Sequence, residues 1–312
     1  MKEEDQPVTN WAPILGRWSF NSGSAIYLGS EGEAQTTVPV GICVSAIRFS
    51  EGEARAIVRL PKTENGISPD TSAYILFGYR SPTEEFFGAG LAGWSSAYTI
   101  MRSDPGRGFL GVALAGSKTN LVAERPYHLI VRVRGQNVLL EVDGIPVLDS
   151  ILEGPIPNGR LGLFAFGKGP IEFTEAHASE AHGTAFVVMQ FSEPYHGLYA
   201  DVIRPVVEGK GLQPHHAGEV FTPGIILDDI VRGIAEAKIV IADITPPNQN
   251  VFYEVGYAHA LRKPTILLVE KGSNPLPFDL SGYRCLFYEN SIAGKSKLEE
   301  GLRKHLEAIL HE

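Results

Sequence analysis

From Ala54 to about Ala178 apolar and polar residues alternate with a period of two. Val131, Val133 and Ile57 interleave with Arg132, Arg134 and Arg59, as in strands with one face buried and one in water. The pattern predicts strands over Ala54 to Leu60, Ser72 to Tyr79, Ala97 to Met101, Tyr127 to Arg134, Val138 to Val142, Arg160 to Phe166 and Ile171 to His177. Gly135-Gln136, Asp143-Gly144, Asn158-Gly159 and Gly169-Pro170 supply the turns. Trp18-Ser19-Phe20 and Ile42 to Phe49 read as two more strands. Many closely spaced strands with no helical stretch predict an antiparallel β-sandwich over residues 1–178.

The segment Ser179 to Gly183 is small and polar and reads as a linker, after which the period changes. Thr184 to Met189, Lys238 to Asp243 and Pro264 to Val269 are continuous apolar strands, with Leu212 to His216 and Arg284 to Tyr288 as weaker ones. Leu198 to Glu208, Asp228 to Glu236, Val251 to Leu261 and Lys297 to Leu310 have helical spacing. Strands apolar on both faces, alternating with helices, predict a doubly wound parallel α/β domain of flavodoxin-like type over residues 184–312.

A length of 312 residues fits two domains, and 44% hydrophobic with 20% charged residues is ordinary for a globular chain. The net charge of -9 argues against a nucleic-acid partner. Cys43 and Cys285 fall in different halves without metal-ligand spacing, which favours a reducing compartment. The acidic start Met1-Lys2-Glu3-Glu4-Asp5 is no signal peptide, and no apolar run reaches the roughly 18 residues of a membrane span. The expectation is a cytoplasmic protein without a membrane partner.

The helix Asn250 to Leu261 is almost wholly apolar and carries one carboxylate, Glu254, so it is expected to be buried on most sides with Glu254 opening into a cavity. Asn248 or Asn250 would cap it, leaving Glu254 near the positive end of the helix dipole and ionised. A fixed carboxylate in a cavity can attack or stabilise an electron-poor sugar carbon; equally, a first-turn acid can simply complement the dipole. Asp243 ends a strand, where it can bind ribose hydroxyls or cap the turn. Thr245 and Asn250 can hold hydroxyls or phosphate, or cap the helix. Gln190 and Phe191 follow the first strand, where an amide can read a base and a ring can stack on it or join the core. Asp229, an acid in the first turn of its helix, compensates the dipole. His215, His216 and His259 form no metal set, so no metal and no cofactor is expected.

Two resemblances add to this. Phe186-Val187-Val188-Met189-Gln190-Phe191, Ala237 to Thr245 and Asn250 to Ala260 resemble the nucleoside 2-deoxyribosyltransferase-like family, close in fold to TIR domains. In that family the helix glutamate cleaves the N-glycosidic bond, and TIR enzymes use a comparable glutamate on NAD; Glu254 stands at the matching position. The resemblance implies a hydrolase or transferase acting on a nucleoside, nucleotide or NAD as substrate, with Glu254 catalytic and Gln190, Phe191, Asp229, Asp243, Thr245 and Asn250 binding substrate. It also implies a homo-oligomer and, fused to a sensor module, a bacterial defence or signalling effector. The alternative is a non-catalytic nucleotide-sensing module joined to a lectin-like domain. The base, the sugar, and hydrolysis against transfer stay open.

Tyr127 to Phe173, with Leu140-Glu141-Val142-Asp143-Gly144 and then Gly159-Arg160-Leu161-Gly162-Leu163-Phe164, resembles the concanavalin A-like, laminin-G-like jelly rolls. That family includes lectins, glycosidases and interaction modules. Glu141 and Asp143 share a strand face, but Pro146 stands where the laminarinase-like pattern has a further glutamate, so no catalytic pair is evident. Trp94, Tyr98 and Tyr79 can stack on a sugar or fill a core. The sandwich is expected to be a recognition or oligomerisation module with a carbohydrate or protein ligand.

Overall fold

The computed structural model describes residues 5–29, 39–64, 66–193, 195–216, 226–273, 280, 282–283 and 285–310. The chain separates into two compact units, most of residues 1–181 in the first and 182–312 in the second.

The first unit is an antiparallel sandwich. Its strands are β1 (Gln6–Pro7), β2 (Trp11–Leu15), β3 (Arg17–Asn21), β4 (Ser24–Gly29), β5 (Val40–Phe49), β6 (Gly52–Arg59), β7 (Ser72–Tyr79) and β8 (Phe86–Leu91). They continue with β9 (Ser96–Asp104), β10 (Gly108–Ser117), β11 (Tyr127–Arg134), β12 (Asn137–Val142), β13 (Ile145–Ile151), β14 (Gly159–Phe166) and β15 (Ile171–Glu180). One sheet has the order β13-β12-β11-β6-β15-β4-β3 with β1 also on β15; the other runs β10-β9-β8-β7-β14-β5-β2. Their inner faces share one core that includes Tyr27, Phe49, Phe77, Phe87, Leu129, Val131 and Phe173.

The outer faces differ in kind. On the eight-stranded sheet Arg132 donates to Glu53 at 2.8 Å and to Glu141 at 2.7 Å, and Arg59 donates to Glu172 at 2.8 Å. This is the solvated side that the alternation predicts. On the seven-stranded sheet Ile42, Val44, Tyr74, Leu76, Tyr79, Phe86, Met101 and Phe164 form a second apolar cluster. Strand β7 is therefore buried along its whole length: Ile75 and Phe77 enter the inner core, while Tyr74 and Leu76 face the outer cluster.

Two differences from the sequence reading follow. Strands β1, β2, β4, β8, β10 and β13 are not among those the period predicts; β8 is buried throughout, while β10 is uncharged and largely exposed, so neither of these two shows an alternation. The expected linker also begins later, because Ser179 and Glu180 extend β15 and pair with Glu53 and Gly52. Gly52, at φ +133°, permits this approach: a Cβ there would lie 2.0 Å from the Ser179 carbonyl oxygen.

The second unit has a parallel sheet of β16 (Thr184–Val188), β17 (Gln213–His216), β18 (Ile239–Asp243), β19 (Thr265–Glu270) and β20 (Cys285–Tyr288), in the order β17-β16-β18-β19-β20. Its helices are α1 (His196–Leu198), continued by a π-helical turn Tyr199–Ile203 into α2 (Arg204–Glu208), then α3 (Ile226–Glu236), α4 (Gln249–Ala260) and α5 (Ile292–Leu310). Alternate strand residues enter two separate cores. Val187, Ile241 and Leu268 pack with Val206 of α2 and Leu302 of α5; Phe186, Val240 and Leu267 pack with Ile234 of α3 and Val255 of α4. Burial on both faces is why these strands read as unbroken apolar runs. No described helix is long and apolar enough to cross a membrane.

Candidate functional site

The outer apolar cluster of the sandwich opens into a cleft of about 340 Å³ lined by Pro69, Asp70, Ser72, Tyr74, Trp94, Met101, Phe109, Phe164 and Phe166. Strand β7 supplies Ser72 and Tyr74, β9 supplies Met101, and β14 supplies Phe164 and Phe166. The Tyr74 and Phe164 rings stack at 5.4 Å, and Phe109 of β10 meets Phe164 edge-on at 5.1 Å. Tyr74, Met101 and Phe164 are at most 3% exposed and make the floor, whereas Trp94 at 46% and Phe109 at 36% stand at the rim.

Trp94 lies in the turn between β8 and β9, and its backbone is unusual. Ala92 has φ 63° and Trp94 φ 50°, the left-handed region that residues other than glycine, asparagine and aspartate rarely occupy. The surroundings impose this. Ala92 N–H donates to Ala97 O at 2.8 Å, Ser96 N–H to Gly93 O at 2.9 Å, and Ser72 Oγ to Ala92 O at 2.9 Å. Gly93 permits the close packing, since a Cβ there would lie 2.3 Å from both the Tyr74 hydroxyl and Thr99 Oγ1. Strained backbone of this kind concentrates at ligand clamps.

Charge in the cleft is sparse. Asp70 is the one carboxylate of the described lining. Burial pushes the Tyr74 phenol up to about 12, against the lowering effect of the Ser72 and Thr99 hydroxyls, so it stays neutral at ordinary pH. The cleft thus offers two partly exposed aromatic residues, an apolar floor and a few oxygen atoms. Of the three aromatics expected to stack on a sugar or fill a core, Trp94 stands at this rim. Tyr79 is 3% exposed in the outer cluster, and Tyr98 packs on the inner core. Glu141 is tied to Arg132 on the opposite sheet, and Asp143, in the β12–β13 turn at φ 52°, accepts from His128 N–H at 2.9 Å and Arg125 at 2.8 Å. Neither lines the cleft. Asp70, Tyr74, Phe109 and Phe164 were not readable as a site, because only the curl of the sheet gathers them. The readable signal was a large aromatic beside Gly93 in a short turn.

In the second unit, two of the expected binding residues meet at the carboxyl edge of the sheet. Asp243, 1% exposed, accepts from Thr245 N–H at 3.1 Å and from the Tyr288 hydroxyl at 2.9 Å. Burial pushes its carboxyl up to about 7. Thr245 Oγ1 in turn accepts from Glu270 N–H at 3.0 Å. Gln190 donates to Ser192 Oγ at 2.8 Å, and Phe191 stacks on His216 at 3.8 Å, so its ring face is occupied. Asn250 is exposed in the first turn of α4, and Asp229 is half-buried in the first turn of α3. Among the described residues no group of acids, histidines and cysteines could hold a metal.

Glu254 departs from its expected setting. Asn248 caps α4 by accepting from Asn250 N–H, which leaves Glu254 in the second turn, with no acid in the first. The helix buries one side, Val251, Val255 and Ala258, and exposes Tyr253 at 54%. Desolvation pushes the Glu254 carboxyl up to about 7 rather than keeping it firmly ionised. A cavity of about 480 Å³ at this edge is lined by Tyr195, Asp201, Glu270, Tyr288 and Lys295 among others, and not by Glu254.

No protein-family model matches the chain, and no curated protein does. Among solved structures it is similar to a carbohydrate-binding module, CBM66, of Bacillus subtilis, at 13% identity over 55% of this chain and 97% of that one, with a TM-score of 0.45. It is also similar to a Bacillus licheniformis β-glucanase, at 12% identity over 57% and 98% of the two chains (TM-score 0.39). A third is the galectin LEC-6 of Caenorhabditis elegans, at 16% identity over 50% and 96% (TM-score 0.32). The expected deoxyribosyltransferase or TIR-like likeness of the second unit is not what these comparisons return. The reading of the chain as an N-glycosidic-bond-cleaving hydrolase or transferase on a nucleoside, nucleotide or NAD is therefore corrected. Its nucleophile, Glu254, sits in the second turn of α4, where burial favours the protonated form.

Proposed function

We propose that residues 1–178 form a saccharide-binding module of jelly-roll type, followed by a domain over residues 184–312 with the flavodoxin-like strand order. The observation that carries the proposal is Trp94, an exposed indole fixed in left-handed backbone at the rim of an aromatic-floored cleft. The apolar C–H face of a sugar ring matches an indole or phenyl face, and its hydroxyls match the Asp70 carboxylate. Asp70 is the one charged residue of the described lining, and the Lys118 ammonium lies behind it on the Pro69 carbonyl, so a sugar without a strong net charge fits the cleft best. Binding is favoured over hydrolysis because glycoside cleavage ordinarily requires two carboxyl groups flanking the bond, and the described lining supplies one.

Titration calorimetry against a panel of neutral, amino and acidic oligosaccharides tests this. A neutral or amino glycan should bind the wild type, and Trp94→Ala should weaken it by roughly tenfold or more, the loss of one stacked ring. Failure of every glycan to bind, or equal binding by Trp94→Ala, would sink the proposal.

A further inference from the structure

We infer that Lys118 is a positioning residue that braces the two lips of the sandwich cleft against each other; the inference rests on the cleft being the ligand site. Lys118 opens a short 3-10 turn, Lys118–Asn120, directly after β10, and is only 8% exposed although it carries an ammonium group. Its side chain runs to one lip, where Nζ donates to the Pro69 carbonyl at 2.6 Å, next to Asp70. Its backbone N–H runs to the other lip and donates to Ser95 O at 2.9 Å, inside the turn that carries Trp94. One residue therefore joins the segment presenting the cleft's carboxylate to the segment presenting its exposed indole.

The chemistry of a buried lysine supports a specific role. Removing an ammonium group from water is costly unless partners compensate. Burial lowers the Lys118 pKa, and the nearby Asp70 charge raises it again. A methionine of similar length would fill the same space without that cost. What the lysine adds is a charge-assisted bond to a carbonyl in a loop otherwise tied down locally, by Thr71 N–H to Ser68 O at 3.0 Å and Asp70 N–H to Ser68 Oγ at 3.3 Å.

The test compares Lys118→Met, which keeps the stem and removes the donors, with Lys118→Arg, which restores them, in the full chain. Hydrogen exchange read by mass spectrometry needs no ligand. In Lys118→Met a peptide covering residues 66–71 should exchange faster by roughly tenfold, while the strand peptide of β7 stays protected. For a glycan that binds the wild type, Kd should rise by roughly tenfold with little change in Tm, and Lys118→Arg should recover most of the loss. If no glycan binds the wild type, the saccharide reading fails while the exchange result still judges the brace. Unchanged exchange at residues 66–71 in Lys118→Met overturns the inference, as does a weakened Kd accompanied by an equal loss of protection throughout the sandwich. If Lys118→Met does not fold, Lys118→Gln takes its place under the same criteria.

Discussion

The Tyr288 hydroxyl donates a 2.9 Å hydrogen bond to Oδ2 of Asp243, a carboxyl 1% exposed at the end of the middle strand of the parallel sheet. Two hydrogen bonds, from Tyr288 and Thr245, favour the ionised acid, yet burial outweighs them and the nearby Glu270 charge adds to it, so the carboxyl rises from 3.8 to about 7. A carboxyl raised on folding stabilises the native state below its unfolded pKa. That contribution is lost as pH climbs from about 4 through about 7. Glu254, also raised to about 7 by burial, acts in the same direction. The two carboxyls together outweigh the opposing effect of His259, whose pKa burial lowers, so the second unit should be more stable at pH 5 than at pH 8. The Asp243 share has a ceiling of about 4 kcal/mol, and real relaxation will reduce it.

Asp243→Asn isolates that share. The amide oxygen still accepts from Thr245 N–H and the amide nitrogen can donate to Tyr288, so the packing survives without a titrating charge. The variant should flatten the pH dependence and match or exceed the wild type at pH 8. Among the described residues every α-helix lies in the second unit, and all three tryptophans, Trp11, Trp18 and Trp94, lie in the sandwich. Urea unfolding followed by helical circular dichroism and by tryptophan fluorescence thus reports the two units separately. An equal pH slope in wild type and variant would show that Asp243 is not the group responsible.

Trp94 combines exposure with backbone strain, so its substitutions should separate binding from stability. Trp94→Ala and Trp94→Gly both remove the ring and should weaken a bound glycan alike. At φ 50° alanine keeps the penalty of left-handed backbone, which glycine does not incur. Trp94→Gly should therefore be the more stable of the two by about 1 kcal/mol, less whatever entropy glycine recovers on unfolding. Urea midpoints read from Trp11 and Trp18 measure this. A glycine variant clearly less stable than the alanine variant would mean that the turn is not strained in solution.

Much of this architecture is legible because burial leaves a period in the chain. Tyr127 to Arg134 alternates between core and solvent, and its predicted bounds are those of β11, while Lys238 to Asp243 reads as an unbroken run because both faces of β18, Ile239–Asp243, are covered. Legibility fails where periodicity is absent for a physical reason. Phe86 to Leu91 is buried on both faces and interrupted by Gly88 and Gly90, so it resembles a loop in composition. The site was less legible than the fold. Glu254 stands out in the sequence as a lone acid in an apolar helix, but its burial is set by tertiary packing, which the sequence does not display. Asp70 and Trp94 are 24 positions apart and share a cleft only once β7, β8 and β9 are paired.

Glu141 provides the sharpest separation of a sugar-binding sandwich from a sugar-cleaving one. It lies on the sheet opposite the cleft, bonded to Arg132, which also holds Glu53 from the neighbouring strand β6. Glu141→Gln keeps the side-chain shape and leaves Arg132 paired with Glu53. With Glu141 at 16% and Arg132 at 35% side-chain exposure, the loss should be modest, about 0–1 kcal/mol of stability. Glycan affinity should not change. Arg132→Met should cost more, about 1–2 kcal/mol, because it removes two charge-assisted bonds and leaves Glu53 and Glu141 facing one another across β11 without a cation. The paired measurements are calorimetric Kd values and chemical denaturation for both variants, with a reducing-end assay on the wild type. Release of reducing ends by the wild type that Glu141→Gln abolishes would make Glu141 a catalytic acid, and the cleft around Trp94 would lose its standing as the sandwich's functional face.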